Sequence, residues 1–447
     1  MAFNLTVDQQ NIYEKIINDI NEVRKGDIFG EYSWLSLKGP AGTGKTFLTK
    51  NIVSYLLSQN MKMAVLAPTH QAVSVIKNNI DIKDKKIFYA TIHAFLGLKP
   101  GKINLETGER KFTKNCKKAK ALCKEKVDIV ILDESSMVGY ELFDFLKEEL
   151  YSRNRIKAFL FIGDACQLMP VEKEKDIKNY IHPIYENKTI NHYSLTELIR
   201  NPDPEAITFV TEIRKMIENQ NTKYDLFNFL LKEKEKEHNK IVFYDNKKEF
   251  FKKYLEIDRV QNPNDTIATF TNEKVQDYNL KIRDYYIKKL YNVNEAPEIV
   301  NEDLFVVQES TEDFQNSEIL ELKNYKDETF DFNGKTFEGY ICTTTDGRTF
   351  NVLKKESKEQ YDRILELLRL NAMKEKNRKA WAYYYELMEL FLNVRYHYAY
   401  TIHKLQGSSY ENIWVDCSGL GYVEDSMLIR LFYVGSTRSK NKIHILL

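Results

Sequence analysis

GPAGTGKT, residues 39–46, governs how the rest of the chain is understood. It matches G-x-x-x-x-G-K-[ST] in full and follows an apolar stretch at 34–37. Behind it, residues 46–57 carry Phe47, Leu48, Ile52, Tyr55 and Leu56 at helical spacing. A strand, a glycine-rich loop and a helix in that order make a phosphate cradle. The loop turns backbone N–H groups inward, and the helix N-terminus adds partial positive charge. Gly39, Pro40, Ala41, Gly42, Thr43 and Gly44 form the loop. Lys45 is expected to reach the β- and γ-phosphates and Thr46 to ligate magnesium, so the implied cofactors are ATP and Mg2+.

Working outward, an apolar stretch at 127–132 ends in Asp133 and Glu134. A carboxylate at the end of a buried strand beside the P-loop holds the metal, and its neighbour orients and deprotonates a water. Small-molecule kinases share the P-loop, but the Asp-Glu pair argues for hydrolysis. Arg200 in LTELIRN and Arg438 in LFYVGSTRS stand out in a chain with 51 lysines and 15 arginines. Guanidinium groups from a second domain are suited to the charge that develops in phosphoryl transfer.

Further apolar stretches at 63–66 and 158–162 look like strands buried on both faces of a parallel sheet. A second set, at 267–270, 398–401, 413–416 and 442–446, predicts a second α/β domain. Between these, residues 332–352 alternate like a small β unit. Residues 359–394 are helical with a break at 374–379, which predicts a helical hairpin. LETGERKF, residues 105–112, is a hairpin turn inside a 99–126 stretch holding ten basic and three acidic residues. That stretch suits either a solvated surface or a phosphate-tracking patch.

Composition narrows the class. At 447 residues the chain holds two to four domains, and 43% hydrophobic with 29% charged residues suits a globular protein. No apolar run approaches the ~18 residues of a membrane span, and the N-terminus lacks the pattern of a secretory signal. The five cysteines, Cys116, Cys123, Cys166, Cys342 and Cys417, form no zinc-ligand spacing, so a cytoplasmic protein with free thiols is expected.

Nine segments then fall in order: GPAGTGKT, APTHQAV (67–73), ATIHAFLGL (90–98), LDESSM, GDACQLMPV (163–171), LTELIRN, TFTNEKV, AYTIHKLQGSSY (399–410) and LFYVGSTRS. In this order they resemble the superfamily 1 helicases of the B branch, the RecD-like group that includes the Dda-type enzymes of T-even bacteriophages. The resemblance runs from Leu5 to Leu447 and departs at 99–126 and 286–397.

What the resemblance implies is an α/β fold of two RecA-like parallel-sheet motor domains. The first would take residues 1–89 and 128–200, with a β-hairpin pin at 90–127. The second would take 201–285 and 398–447, with an SH3-like and helical-tower insertion at 286–397. Gln9, with Gln10 as the alternative, would read adenine and Gln167 would sense the γ-phosphate. Arg200 and Arg438 would reach ATP from either side of the cleft. Pro68, Thr69, His70, Thr91 and His93 in the first motor, and Asn272, Thr401, His403 and Lys404 in the second, would face the DNA strand. Leu105 or Phe112 of the pin would meet the last base pair. Trp381, Tyr383, Tyr384 and Tyr385 would either stack on bases or form the core of the helical hairpin. FQNSEIL, residues 314–320, carries Ser317 where the family turn has glycine.

The implied activity is ATP-dependent 5′→3′ translocation and unwinding in phage DNA replication or recombination. A DNA translocase, loader or protein-displacing motor that does not unwind strongly is the alternative. Expected partners are single-stranded and forked duplex DNA, with a single-strand-binding protein or replisome proteins besides. The protein is expected to act as a monomer, in the host cytoplasm if phage-encoded, with no membrane.

Overall fold

The computed structural model describes residues 5–26, 33–105, 110–114, 127–153, 156–170, 182–199, 203–257, 265–311, 313–419 and 423–447. They fall into two compact units. One comprises Met1–Gly97, Ala119–Val275 and Tyr400–Leu447, and the other Leu98–Lys118 and Gln276–Ala399.

The first unit contains two parallel sheets. Strands β1 (Trp34–Lys38), β2 (Met63–Ala67), β3 (Ile87–Thr91), β6 (Ile129–Leu132), β7 (Ala158–Gly163) and β8 (Asn191–Ser194) lie in the order β3-β2-β6-β7-β1-β8. All of these pairings are parallel. Burial along β2, β6 and β7 is complete, which explains their unbroken apolar sequences. Helices α1 (Val7–Lys25), α2 (Lys45–Ser58) and α3 (His70–Ile80) cover one face through Ile16, Ile20, Leu48, Ile52 and Ile76. The short α4 (Ile92–Leu96) follows β3, and α5 (Tyr140–Arg153) follows β6. On the other face Phe143 of α5 and Phe159 and Phe161 of β7 pack around Trp34, with ring centroids 5.1–5.5 Å from it.

The second sheet is ordered β16-β10-β17-β18-β9, from β9 (Ile241–Tyr244), β10 (Thr266–Thr269), β16 (Ala399–Thr401), β17 (Tyr410–Asp416) and β18 (Ser439–Leu446). Here β10, β17, β18 and β9 pair in parallel. Helices α6 (Pro204–Glu218), α7 (Lys223–Lys234), α8 (Lys247–Leu255) and α12 (Asp425–Ser436) surround it, and α9 (Asn272–Tyr291) follows β10. The architecture is that of two RecA-like motor domains.

The second unit joins a hairpin, β4 (Leu98–Ile103) and β5 (Arg110–Lys114), to a later stretch of the chain. That stretch holds an antiparallel sheet ordered β14-β13-β12-β11-β15: β11 (Leu304–Val307), β12 (Ile319–Phe332), β13 (Lys335–Thr344), β14 (Thr349–Leu353) and β15 (Val394–Tyr396). Helices α10 (Lys355–Glu375) and α11 (Arg378–Leu390) form the hairpin expected from the sequence. The chain reverses between them where Lys376 takes φ 49° and Asn377 caps α11. The β unit begins with β11 at Leu304, earlier than the alternation at 332 suggested, because most of β12 is exposed and polar or charged residues interrupt its alternation. Ser317 adopts φ 66°, so the turn keeps its left-handed geometry without glycine.

Candidate nucleotide site and nucleic-acid face

Every sheet residue of the predicted nucleotide site stands at the carboxyl end of a strand, where ligands of parallel sheets bind. Gly39 leaves β1 and its N–H donates to the Gly163 carbonyl at the end of β7 (3.2 Å). A Cβ on Gly39 would lie 2.9 Å from both the Leu195 carbonyl oxygen and Thr43 Oγ, so the loop can close only on glycine. Gly44 has φ +78°, and a Cβ there would meet Gln9 Nε2 at 2.4 Å. Lys45 Nζ curls onto the Gly39 and Pro40 carbonyls at 2.8 and 2.9 Å. Thr46 is the second residue of α2.

Gln9 is 2% exposed and serves two purposes. Its Oε1 accepts from the Thr6 N–H (3.2 Å) to complete a capping box, while Nε2 donates to the Thr43 carbonyl (3.2 Å). Gln10 points away, exposed and bonded to Glu14 at 2.6 Å. Of the two glutamines, Gln9 is the one against the P-loop.

Asp133 and Glu134 close the end of β6. The Asp133 N–H donates to the Leu66 carbonyl (2.8 Å), and Asp133 Oδ1 accepts from the Glu134 N–H (2.9 Å). Glu134 itself sits at φ 50°, a left-handed conformation costly for a residue with a side chain. Burial, and then the neighbouring Glu134, push the Asp133 carboxyl up to about 7, against the pull of Lys45. Such a pair is short of positive charge. Its hard oxygen donors, with the Thr46 hydroxyl, fit Mg2+. A Cβ on Gly407, from the second sheet, would come within 3.9 Å of Glu134 Oε1.

Gln167 follows β7 on the loop Asp164–Gln167. Its side chain is 3% exposed, and Oε1 has no partner among the described residues. A buried amide with an idle end is a group poised for a ligand, whichever way its O and N are assigned. Arg200 lies outside the described residues. Its predecessor Ile199 donates its N–H to the Gly42 carbonyl (2.7 Å), which ties that segment to the P-loop. Arg438 is 2% exposed and occupied at home: Nε donates to Val434 O (3.1 Å) and Nη2 to Thr437 Oγ1 (3.2 Å), with Ser408 O 3.5 Å from Nη1.

None of Asp164, Arg214, Arg430 and Tyr433 is among the expected site residues, yet they bind the Gln167 loop to the second sheet. Asp164 is fully buried, and Arg214 Nη1 donates to its Oδ1 (2.7 Å) while Tyr433 Oη donates to its Oδ2 (2.8 Å). Arg430 Nη1 donates to the Ala165 and Gln167 carbonyls at 2.6 and 2.9 Å. Asp164 and Tyr433 do fall within two of the ordered segments, GDACQLMPV and LFYVGSTRS.

The residues expected to face DNA gather at other strand ends. Pro68, Thr69 and His70 follow β2, while Thr91 and His93 follow β3 at the sheet edge. Thr69 Oγ1 accepts from the Ala72 N–H and Thr91 Oγ1 from the Ala94 N–H, both at 3.2 Å. These caps leave each hydroxyl its own proton to donate. His93 is half-buried, and burial lowers its pKa against the pull of Glu141. In the second sheet Asn272 opens α9 after β10, and Thr401, His403 and Lys404 follow β16. In the first sheet the P-loop and Asp133 thus follow inner strands, and the residues expected to face DNA lie at the β2–β3 side.

Within the second unit, the Trp381 indole N–H donates to the Leu105 carbonyl (3.2 Å), and Tyr384 and Tyr385 pack on the indole at 5.6 and 6.2 Å. Trp381 is core, at 2% exposure, whereas Tyr383 is exposed. Phe112 lies on β5, and residues 106–109 of the expected pin tip lie outside the described residues. Cys166, Cys342 and Cys417 are buried free thiols, and the described residues hold no metal-binding cluster of His, Cys, Asp and Glu. No described helix is long and apolar enough to cross a membrane.

Fold and site together define a P-loop protein built of two RecA-like motor domains. The family described as an AAA domain matches residues 31–173. An uncharacterized protein, R530, of Acanthamoeba polyphaga mimivirus is 26% identical over 85% of this chain and 88% of its own length. The ATP-dependent DNA helicase dda of Enterobacteria phage T4 is 32% identical over 48% of this chain and 44% of the phage protein. In fold, the Pif1 helicase from Bacteroides in complex with ADP-AlF3 and ssDNA superposes with a TM-score of 0.52 at 17% identity, over 99% of this chain and 92% of that one. The chain is thus similar in sequence to the Dda helicase over about half of its length, and in fold to the Pif1 helicases.

Proposed function

We propose that the chain is an ATP-driven DNA helicase that moves 5′→3′ along single-stranded DNA and parts a duplex ahead of it, in phage DNA replication or recombination. One observation carries the reading. Lys45, Asp133, Glu134 and the Gln167 loop stand at the ends of neighbouring central strands, and a second RecA-like sheet sends Arg430 and Tyr433 onto that loop. A hydrolytic site whose parts come from two sheets is suited to turning chemistry into relative motion.

In this reading Lys45 and the P-loop N–H groups hold the phosphates, and Glu134 orients the attacking water and takes its proton. Thr46 and Asp133 would hold Mg2+, which neutralises charge on the phosphate oxygens. Gln167, Arg200 and Arg438 turn toward the γ-phosphate, Arg438 by giving up its bonds to Val434 and Thr437. Thr69, Thr91 and Thr401, with His70, His93, Asn272, His403 and Lys404, grip the strand through its phosphates, which positions DNA without reading sequence. Direction comes with the family resemblance, as does the pin role of the β4–β5 hairpin.

Strand displacement on two duplexes, one with a 5′ and one with a 3′ single-stranded tail, tests the proposal in the presence of Mg2+ and ATP. Opening of the 5′-tailed substrate alone is expected. Preference for the 3′ tail would overturn the polarity. DNA-stimulated hydrolysis with neither duplex opened would leave a translocase or loader instead.

A further inference from the structure

We propose that Tyr433 and Arg430 are positioning residues through which the second motor sheet sets the place of Gln167. The inference rests on the hydrolytic reading above and names how that site is regulated. Tyr433 and Arg430 are three residues apart on α12 and so project from one face of it. Between them they hold the loop at three points: the Asp164 carboxylate, the Ala165 carbonyl and the Gln167 carbonyl. Arg214 on α6 completes the Asp164 shell and also donates to Tyr433 Oη at 3.1 Å, and the Cys166 N–H closes back on Asp164 Oδ1 at 3.0 Å. Every loop backbone group that α12 reaches is thereby fixed, while the Gln167 amide keeps an idle end.

The arrangement is a link and more than packing. The loop grows from β7 of the first sheet and α12 packs on the second, so a shift of one sheet against the other must drag the loop or break buried, charge-assisted bonds. Arg438 begins two residues beyond α12, so the helix that holds the Gln167 loop also carries the arginine expected at the γ-phosphate. Tyr433 touches no reacting atom in this scheme. It acts through Gln167.

A double-mutant cycle on ATP turnover in saturating single-stranded DNA tests this. Tyr433→Phe removes only the hydroxyl. It is expected to lower kcat about tenfold, with KM for ATP and affinity for ADP changed by no more than about twofold. In a Gln167→Ala background the same change is expected to cost nothing further, since the group it positions is gone. Wild-type turnover in Tyr433→Phe, or losses that multiply in the double variant, would overturn the link. If Tyr433→Phe melts early, Arg430→Gln, which takes both carbonyl bonds and leaves Asp164 satisfied, is run through the same cycle with the same expectation. A wild-type chain without ATP turnover sensitive to Lys45→Ala would sink the hydrolytic reading itself, a result distinct from an additive cycle.

Discussion

Gln9 Nε2 and the Thr43 carbonyl, 3.2 Å apart, join the first turn of α1 to the P-loop across 34 residues of chain. The contact explains why position 44 must be glycine on two counts, its φ of +78° and the 2.4 Å approach of that same amide. Gln9→Ala is expected to weaken ADP binding up to about tenfold, the worth of one buried hydrogen bond and a loosened loop. Gln10→Ala, at an exposed position, should change nothing. Equal effects in a fluorescent-nucleotide titration would refute the assignment to Gln9.

The raised Asp133 pKa makes nucleotide binding a proton-linked event. A carboxyl with a folded pKa of about 7 stabilises the fold while protonated, and that contribution is lost as pH rises through 7. Mg2+ needs the ionised form. Binding of Mg2+-nucleotide should therefore release close to one proton at pH 6 and almost none at pH 8.5. Calorimetry in buffers of differing ionisation enthalpy measures this, and Asp133→Asn should abolish the release.

Acid should destabilise the second sheet through His444. Its ring stacks on Trp414 at 3.7 Å with an interplanar angle of 3°, and Tyr244 Oη lies 3.1 Å from Nδ1. Burial, helped by Lys442, pushes its pKa down to about 3. A depressed histidine contributes stability that is complete above the unfolded value near 6.5 and drains away as pH falls toward 3. His444→Phe should flatten the acid limb of a stability profile between pH 6 and 4 by up to about 1.4 kcal/mol per pH unit. An unchanged slope would mean the ring is already charged in the fold.

Ser317 at φ 66° offers a gain. Ser317→Gly removes the left-handed penalty, partly offset by a floppier unfolded chain, and should stabilise the second unit by about 0.5–1 kcal/mol. A lowered melting temperature would show that the Ser317 hydroxyl, 3.2 Å from Asn316 Oδ1, matters more than the backbone.

Trp381→Phe keeps the ring core and removes the N–H that holds Leu105. Strand separation should fall several-fold while DNA-stimulated ATP hydrolysis is kept. Parallel loss of both would point to a role in folding and none in the fork.

How much of this was visible in the chain depended on how local each signal is. β1, β2, β6 and β7 announced themselves because a strand buried on both faces is almost continuously apolar, Ser36 being the one polar residue buried within them. The edge strand β8, NHYS, and the exposed β12 did not, since edges and solvated hairpins carry polar residues that read as loop. Likewise Lys45, Asp133 and Glu134 sit in short motifs whose geometry is set by their neighbours in sequence. Asp164, by contrast, meets Arg214 and Tyr433 across 50 and 269 residues, and no local pattern announces a partner at that distance.

The Leu105 carbonyl finds its indole partner 276 residues further along the chain. At synthesis rates of roughly 5–20 residues per second, the hairpin emerges roughly 15–55 seconds before Trp381 exists. Its strands must spend that interval as an isolated two-stranded ribbon, a form that is marginal in water on its own. A ribosome stalled between β10 and Trp381 would thus leave a nascent chain with its P-loop sheet made and its hairpin without the indole partner, a natural target for chaperones.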